Sequence, residues 1–129
     1  ESGEEFNVVV EPPPPAVGHP GAAEVALQFL GKPYVWAANG PDAFDCSGLT
    51  SYAYRSQGIE LPRVSYDQAH VGRSVSLEEA VAGDLYIAPG HGHVGIYLGD
   101  GRTIHAANPS VGVIISSIYN FSGYDLRRL

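Results

Sequence analysis

Only one cysteine, Cys46, occurs in 129 residues, so no internal disulfide can form and a small disulfide-stapled scaffold is excluded. Basic side chains are scarce too: seven Lys and Arg stand against 14 Asp and Glu, a formal charge of -7. Binding through phosphates rests on clustered basic groups, so this balance excludes nucleic acid as a partner. No apolar run approaches the roughly 18 residues that a membrane-spanning helix requires, so no membrane span is expected. There is no internal repeat, and the one biased segment is a run of four prolines. What remains is 44% hydrophobic and 16% charged with a mean hydropathy of -0.04, the composition of one folded, soluble domain with a single core.

The chain starts at Glu1 and shows no basic-then-apolar leader, which reads as a processed piece whose targeting segment lies elsewhere. Residues 1–20 form an acidic, proline-rich arm or linker: a short apolar patch at Phe6, Val8, Val9 and Val10, then Pro12 to Pro15, which impose extended polyproline geometry. The arm is long enough to lie across a cleft and inhibit it. Residues 21–129 form the domain. Ala22, Val25, Ala26 and Phe29 have helical spacing, with Gly31 at the stop. A loop through Gly40, Pro41 and Asp42 leads to a second helix over 46–57, capped by Asp45 or Asp42, and a short third helix covers 65–70. From Gly83 onward the chain turns to short β-branched or aromatic runs at 85–88, 94–98, 102–106, 112–117 and 124–128, read as an antiparallel meander. Helices first and strands second predict an α+β fold with the helices on one side of the sheet.

Cys46 falls in the first turn of the second helix, where free backbone N–H groups and the helix dipole favour a thiolate. A buried structural thiol is the competing reading, because Cys46, Leu49 and Ala53 share a helical face. The polar flanks Asp45 and Ser47, with Gly48 following, favour a site that must be approached. A nucleophilic thiol needs a base, and the base an orienting partner. In the run from His93 to Leu98, Val94, Ile96 and Leu98 face the core while His93, Gly95 and Tyr97 share the other face. A three-residue loop at Gly99-Asp100-Gly101 pairs Leu98 with Arg102, Ile96 with Ile104 and Gly95 with His105, which places His105 on the face of His93. His91 reads as a loop residue near the entrance. A rival arrangement makes His91, His93, His105 and Cys46 four zinc ligands, but no carboxylate or further histidine stands nearby in sequence to support them.

Six blocks, in order, resemble one family: Gly31-Lys32-Pro33-Tyr34-Val35-Trp36, Asp45-Cys46-Ser47-Gly48, Leu61-Pro62-Arg63 with Ser65 and Gln68, Ala82-Gly83-Asp84-Leu85, His93-Val94-Gly95-Ile96-Tyr97 and Ile104-His105-Ala106. Over residues 21–129 the chain resembles the NlpC/P60 cysteine peptidases of bacterial cell-wall peptides, and the run from Asn39 to Cys46 is similar to the actinobacterial Rip-type endopeptidases. The resemblance implies a papain-like α+β fold, a Cys46 nucleophile, His93 as general base and His105 as its orienter. It also implies that Tyr34 and the Cys46 N–H hold the oxyanion and that Asp45 and Ser47 contact the substrate's amino group, with no metal or cofactor; Arg63 belongs to a motif whose role the resemblance leaves open, and its charge suggests a partner for a substrate carboxylate, as that of Asp45 suggests a pocket for an ammonium. The roles of Ser65 and Gln68 stay open. The expected partner is a peptidoglycan stem peptide, cut between D-γ-glutamate and meso-diaminopimelate, in a secreted or envelope setting, with upstream domains or a second cell-wall hydrolase as further partners. The alternative is a binding module of the same fold that does not turn over. Where the family usually has two glycines this chain has Ala37 and Ala38, which is expected to narrow the cleft.

Overall fold

The computed structural model describes residues 18–120 and 122–129; the proposed arm lies almost wholly outside them. Helix α1 (Pro20–Leu27) opens with a proline, whose missing N–H costs nothing in the first turn, and buries Ala22, Ala23 and Ala26. Helix α2 (Cys46–Arg55) is capped by Asp45, whose carboxylate accepts the Gly48 N–H at 2.6 Å. Leu49, Ala53 and Tyr54 on its inner face are fully buried, and the Tyr54 hydroxyl donates to the Gly83 carbonyl. Helix α3 is a single turn, Ser65–Gln68. None of the described helices is long and apolar enough to cross a membrane.

Six strands follow: β1 (Arg73–Val75), β2 (Leu85–Ile87), β3 (Val94–Gly99), β4 (Arg102–Asn108), β5 (Gly112–Ser117) and β6 (Asp125–Arg128). They form one antiparallel sheet in the order β1-β6-β2-β3-β4-β5. The expected α+β class is therefore observed. The meander holds only from β2 to β5; β6 returns across the sheet to lie between β1 and β2, and β1 is a strand that the sequence pattern does not signal.

Strand alternation divides the interior. Leu85, Ile87, Val94, Ile96, Ile104 and Val113 join the helices in one core, while Tyr86, Tyr97 and Leu126 form a second cluster with Val75 and Ile118 on the other face. Near Tyr54 of α2, Arg128 of β6 places its Nη2 2.8 Å from Asp84 Oδ2 and its Nε 3.0 Å from Oδ1. Asp84 also accepts the Val81 N–H. The pair fixes the returning strand to the start of β2.

The β3–β4 turn corrects one detail of the expected register. Ile96 does pair with Ile104, but Gly99, not Leu98, pairs with Arg102, and the register shifts between Tyr97 and Gly99. Asp100 and Gly101 make the two-residue turn, both with positive φ. A two-residue turn alone would rotate His105 to the helix side; the extra residue in β3 takes up the difference and keeps His105 on the face of His93.

Candidate active site

Asp45 sets the position of the thiol because it starts α2 one residue earlier. Cys46 is half-buried against the main core, and its sulfur accepts from the backbone N–H of Val94, the residue next to His93. Burial pushes the thiol above its ordinary value; the Val94 N–H opposes this, the Asp45 carboxylate adds to the rise, and the N–H groups of Ser47 and Cys46 oppose it. The expectation that the helix start would favour a thiolate is thus corrected: loss of solvent outweighs the backbone N–H groups, and the resting group is a thiol. Gly48 also has a different cause from the expected one. A Cβ there would run into the Ala38 carbonyl, so the glycine permits close packing of the 34–45 loop rather than access to the sulfur.

The two histidines meet. His93 Nε2 lies 2.7 Å from His105 Nδ1, with the rings nearly perpendicular at 78°. Gly95, between them on the same face, leaves the space: a Cβ there would stand 2.8 Å from the Ile104 carbonyl oxygen and 3.0 Å from His105 Cβ. Burial pushes His93 below the ordinary imidazole value, and burial together with the neighbouring His93 pushes His105 down to about 4. Both rings are therefore neutral near pH 7, as a base and its orienter require. His91 turns elsewhere, its ring 5.5 Å from that of His70, so it does not join Cys46, His93 and His105 as the zinc arrangement would need. Among the described residues, no three or more His, Cys, Asp or Glu side chains are grouped to hold a metal ion.

A cleft of about 420 Å³ opens over the thiol; Tyr34, Trp36, Cys46, Arg63, Tyr66 and Gly92 are among the residues that line it. Tyr34 is held by a bridge to Phe44 and stays a phenol, its ionisation opposed by burial first and then by Cys46 and Asp45. It can therefore donate a hydrogen bond beside Cys46. Trp36 is 83% exposed.

Asp45, Ser47 and Arg63 form one unit. Arg63 Nη2 is 3.1 Å from Asp45 Oδ2 and its Nη1 2.7 Å from Ser47 Oγ. Asp45 accepts further from the N–H groups of Gly48 and Ala37. Asp45 and Arg63, expected to meet an ammonium and a carboxylate of the substrate, face each other here as one ion pair, with the Arg63 side chain still 37% exposed. Gln68, whose role the sequence leaves open, is fully buried and ties the unit from behind; its Oε1 accepts from Thr50 and its Nε2 donates to the Ser47 carbonyl, Ser51 Oγ and the Pro62 carbonyl. Ser65, also open, is buried at the start of α3 and lines the cleft. Ala37, in place of a family glycine, sits at φ 66° and lines the cleft. A side chain in that left-handed region costs about 1–2 kcal/mol, offset here by the Ala37 N–H bond to Asp45. The residue that sequence reasoning missed is Ser116, whose Oγ is 2.8 Å from His105 Nε2. Extending the register from β4 to β5 would have found it, because Ser116 pairs with Thr103, two residues from His105 on the same face.

Comparison with known proteins adds four findings. The sequence pattern of the NlpC/P60 family matches residues 31–125. A protein of Corynebacterium glutamicum named a probable endopeptidase is 49% identical over 88 residues, which is 67% of this chain and 42% of that protein. The chain thus spans less than half the length of this relative. Among solved structures, the NlpC/p60 domain of the peptidoglycan hydrolase SagA superposes with a TM-score of 0.76 at 34% identity, over 85% of this chain and 98% of that one. RipD of Mycobacterium tuberculosis, described as a non-catalytic NlpC/p60 domain protein adapted to peptidoglycan binding, superposes with a TM-score of 0.73 at 29% identity, over 84% of this chain and 95% of that one.

Proposed function

Because the chain belongs to the NlpC/P60 family, we propose that it is a peptidoglycan endopeptidase of the cell envelope that works through Cys46, His93 and His105 without a metal or cofactor. The observation that carries this reading is the 2.7 Å His93–His105 bond at the start of β3, where the Cys46 sulfur meets the Val94 N–H. The resting thiol and neutral imidazole define the chemistry. His93 takes the thiol proton as the sulfur attacks the scissile carbonyl; the oxyanion is met by the Cys46 N–H and the Tyr34 hydroxyl. The His93 proton then passes to the departing amine, leaving a thioester on Cys46. Water, deprotonated by His93, releases the acid and restores the thiol. His105 accepts from His93 Nε2–H, so that His93 presents its bare Nδ1 for the proton.

The triad attacks any amide that reaches it, so the cleft walls choose the bond. Arg63 keeps its side chain 37% exposed while paired to Asp45, and it is the cation available to a substrate carboxylate. The D-γ-glutamyl–meso-diaminopimelate bond of a stem peptide is flanked by carboxylates, and this is the bond we assign. A binding module without turnover, the condition described for RipD, is the second reading. Retention of Cys46, His93 and His105 favours hydrolysis over it.

Stem peptides ending at different residues, with products read by mass, test the assignment. The expected products are L-alanyl-D-glutamate and a fragment starting at the diamino acid. Release of the lactyl group, or a cut between cross-linked D-amino acids, would show that the bond is wrong; binding without products would favour the module.

A further inference from the structure

The histidine pair has a partner beyond the three residues that the sequence marks. Ser116 on β5 is the cross-strand neighbour of Thr103 on β4, and the pleat turns its side chain to the face carrying His105. Its Oγ lies 2.8 Å from His105 Nε2, while the other ring nitrogen of His105 lies 2.7 Å from His93 Nε2. The three side chains thus form one hydrogen-bonded line, Ser116–His105–His93, which ends at the residue adjoining the thiol's backbone partner.

We infer that Ser116 is a positioning residue of the hydrolytic site: by accepting from His105 Nε2–H it holds His105 in the tautomer that leaves Nδ1 bare to receive His93 Nε2–H. This rests on the endopeptidase reading given above. Two neutral imidazoles joined nitrogen to nitrogen can arrange their protons in two ways. In one, His105 carries its proton on Nε2, His93 carries its proton on Nε2, and His93 Nδ1 is the free base. In the other, His105 donates from Nδ1, His93 is forced to carry its proton on Nδ1, and the base is spent before the thiol can give up its proton. The first arrangement needs an acceptor at His105 Nε2, and Ser116 Oγ is the side-chain atom placed there. The same bond is favoured further once His93 has taken the thiol proton: the imidazolium donates to His105 Nδ1, which polarises His105 Nε2–H toward the serine.

The test compares the parent chain with Ser116→Ala and Ser116→Thr, using stem-peptide hydrolysis and the 15N chemical shifts of the imidazole nitrogens. Ser116→Ala is expected to lower kcat about tenfold, the loss of a hydrogen bond that feeds a charged group, with KM within twofold. Its His105 signals should move from a single Nε2–H form toward a mixture of tautomers, and Ser116→Thr should restore both readouts. Unchanged 15N shifts in Ser116→Ala would overturn the inference, whatever the rate does, because a purely structural serine can slow the enzyme without moving a proton. Loss of activity in the parent itself would fall on the endopeptidase reading, while the spectra would still report on the serine.

Discussion

Replacing Cys46 by alanine should reduce hydrolysis of a stem peptide by at least about a thousandfold, because a nucleophile that forms a covalent intermediate has no substitute in the site. His93 and the oxyanion donors remain in that variant, and what they leave is the residual rate of positioned water alone. The fold should tolerate the change. The sulfur is half-buried rather than enclosed, its contribution is that of a small apolar group, and Asp45 still caps α2, so unfolding free energy should fall by no more than about 1–2 kcal/mol. Product formation by mass and urea unfolding on the same preparation separate the two effects. Retained hydrolysis would remove Cys46 from the chemistry, and a variant that fails to fold would make it the structural thiol of the competing reading.

The largest effect on stability should come from Asp84→Ala. Asp84 is 1% exposed and Arg128 8%, and the carboxylate takes two guanidinium bonds and the Val81 N–H. Removing it leaves a buried guanidinium with only the Glu79 carbonyl as a partner among the bonds described. Breaking one side of such a pair costs about 3–5 kcal/mol, most of it the charge left uncompensated. Denaturant unfolding should show that loss. The fraction that stays folded should cleave at the parent's rate, because Asp84 lies on the β2–β6 side of the sheet and lines no part of the cleft. A loss below about 1 kcal/mol would mean that β6 is held to β2 by its ladder and its apolar contacts alone.

Local rules carried the reading where the contact is local. Asp45 as cap, Cys46 at the helix start and the alternation that puts His93 and His105 on one face all follow from spacing within a few residues. The β3–β4 register came out right at Ile96 and Ile104 although its turn did not, because an extra residue near Leu98 compensates for the shorter turn. What spacing cannot show is long-range. Strand β1 has three residues, two of them exposed, and exists because β6 returns to pair with it. Arg63 finds Asp45 across 18 residues and Gln68 threads four partners behind it, so two residues that look like separate binding groups from the sequence are one paired structure. The state of the thiol was misjudged for a different reason: helix position is visible in sequence, whereas the burial of Cys46 depends on where α2 meets the sheet.

Whether Cys46 rests as a thiol beside neutral imidazoles is read most directly from the pH dependence of its alkylation by iodoacetamide, followed by intact mass. Burial raises the thiol above its ordinary value and lowers both histidines, so the alkylation rate should be low at pH 6 and rise only as the pH passes through and above the ordinary cysteine range. A rate that stays high and flat from pH 9 down to pH 5 would mark a preformed thiolate–imidazolium pair and contradict the general-base account.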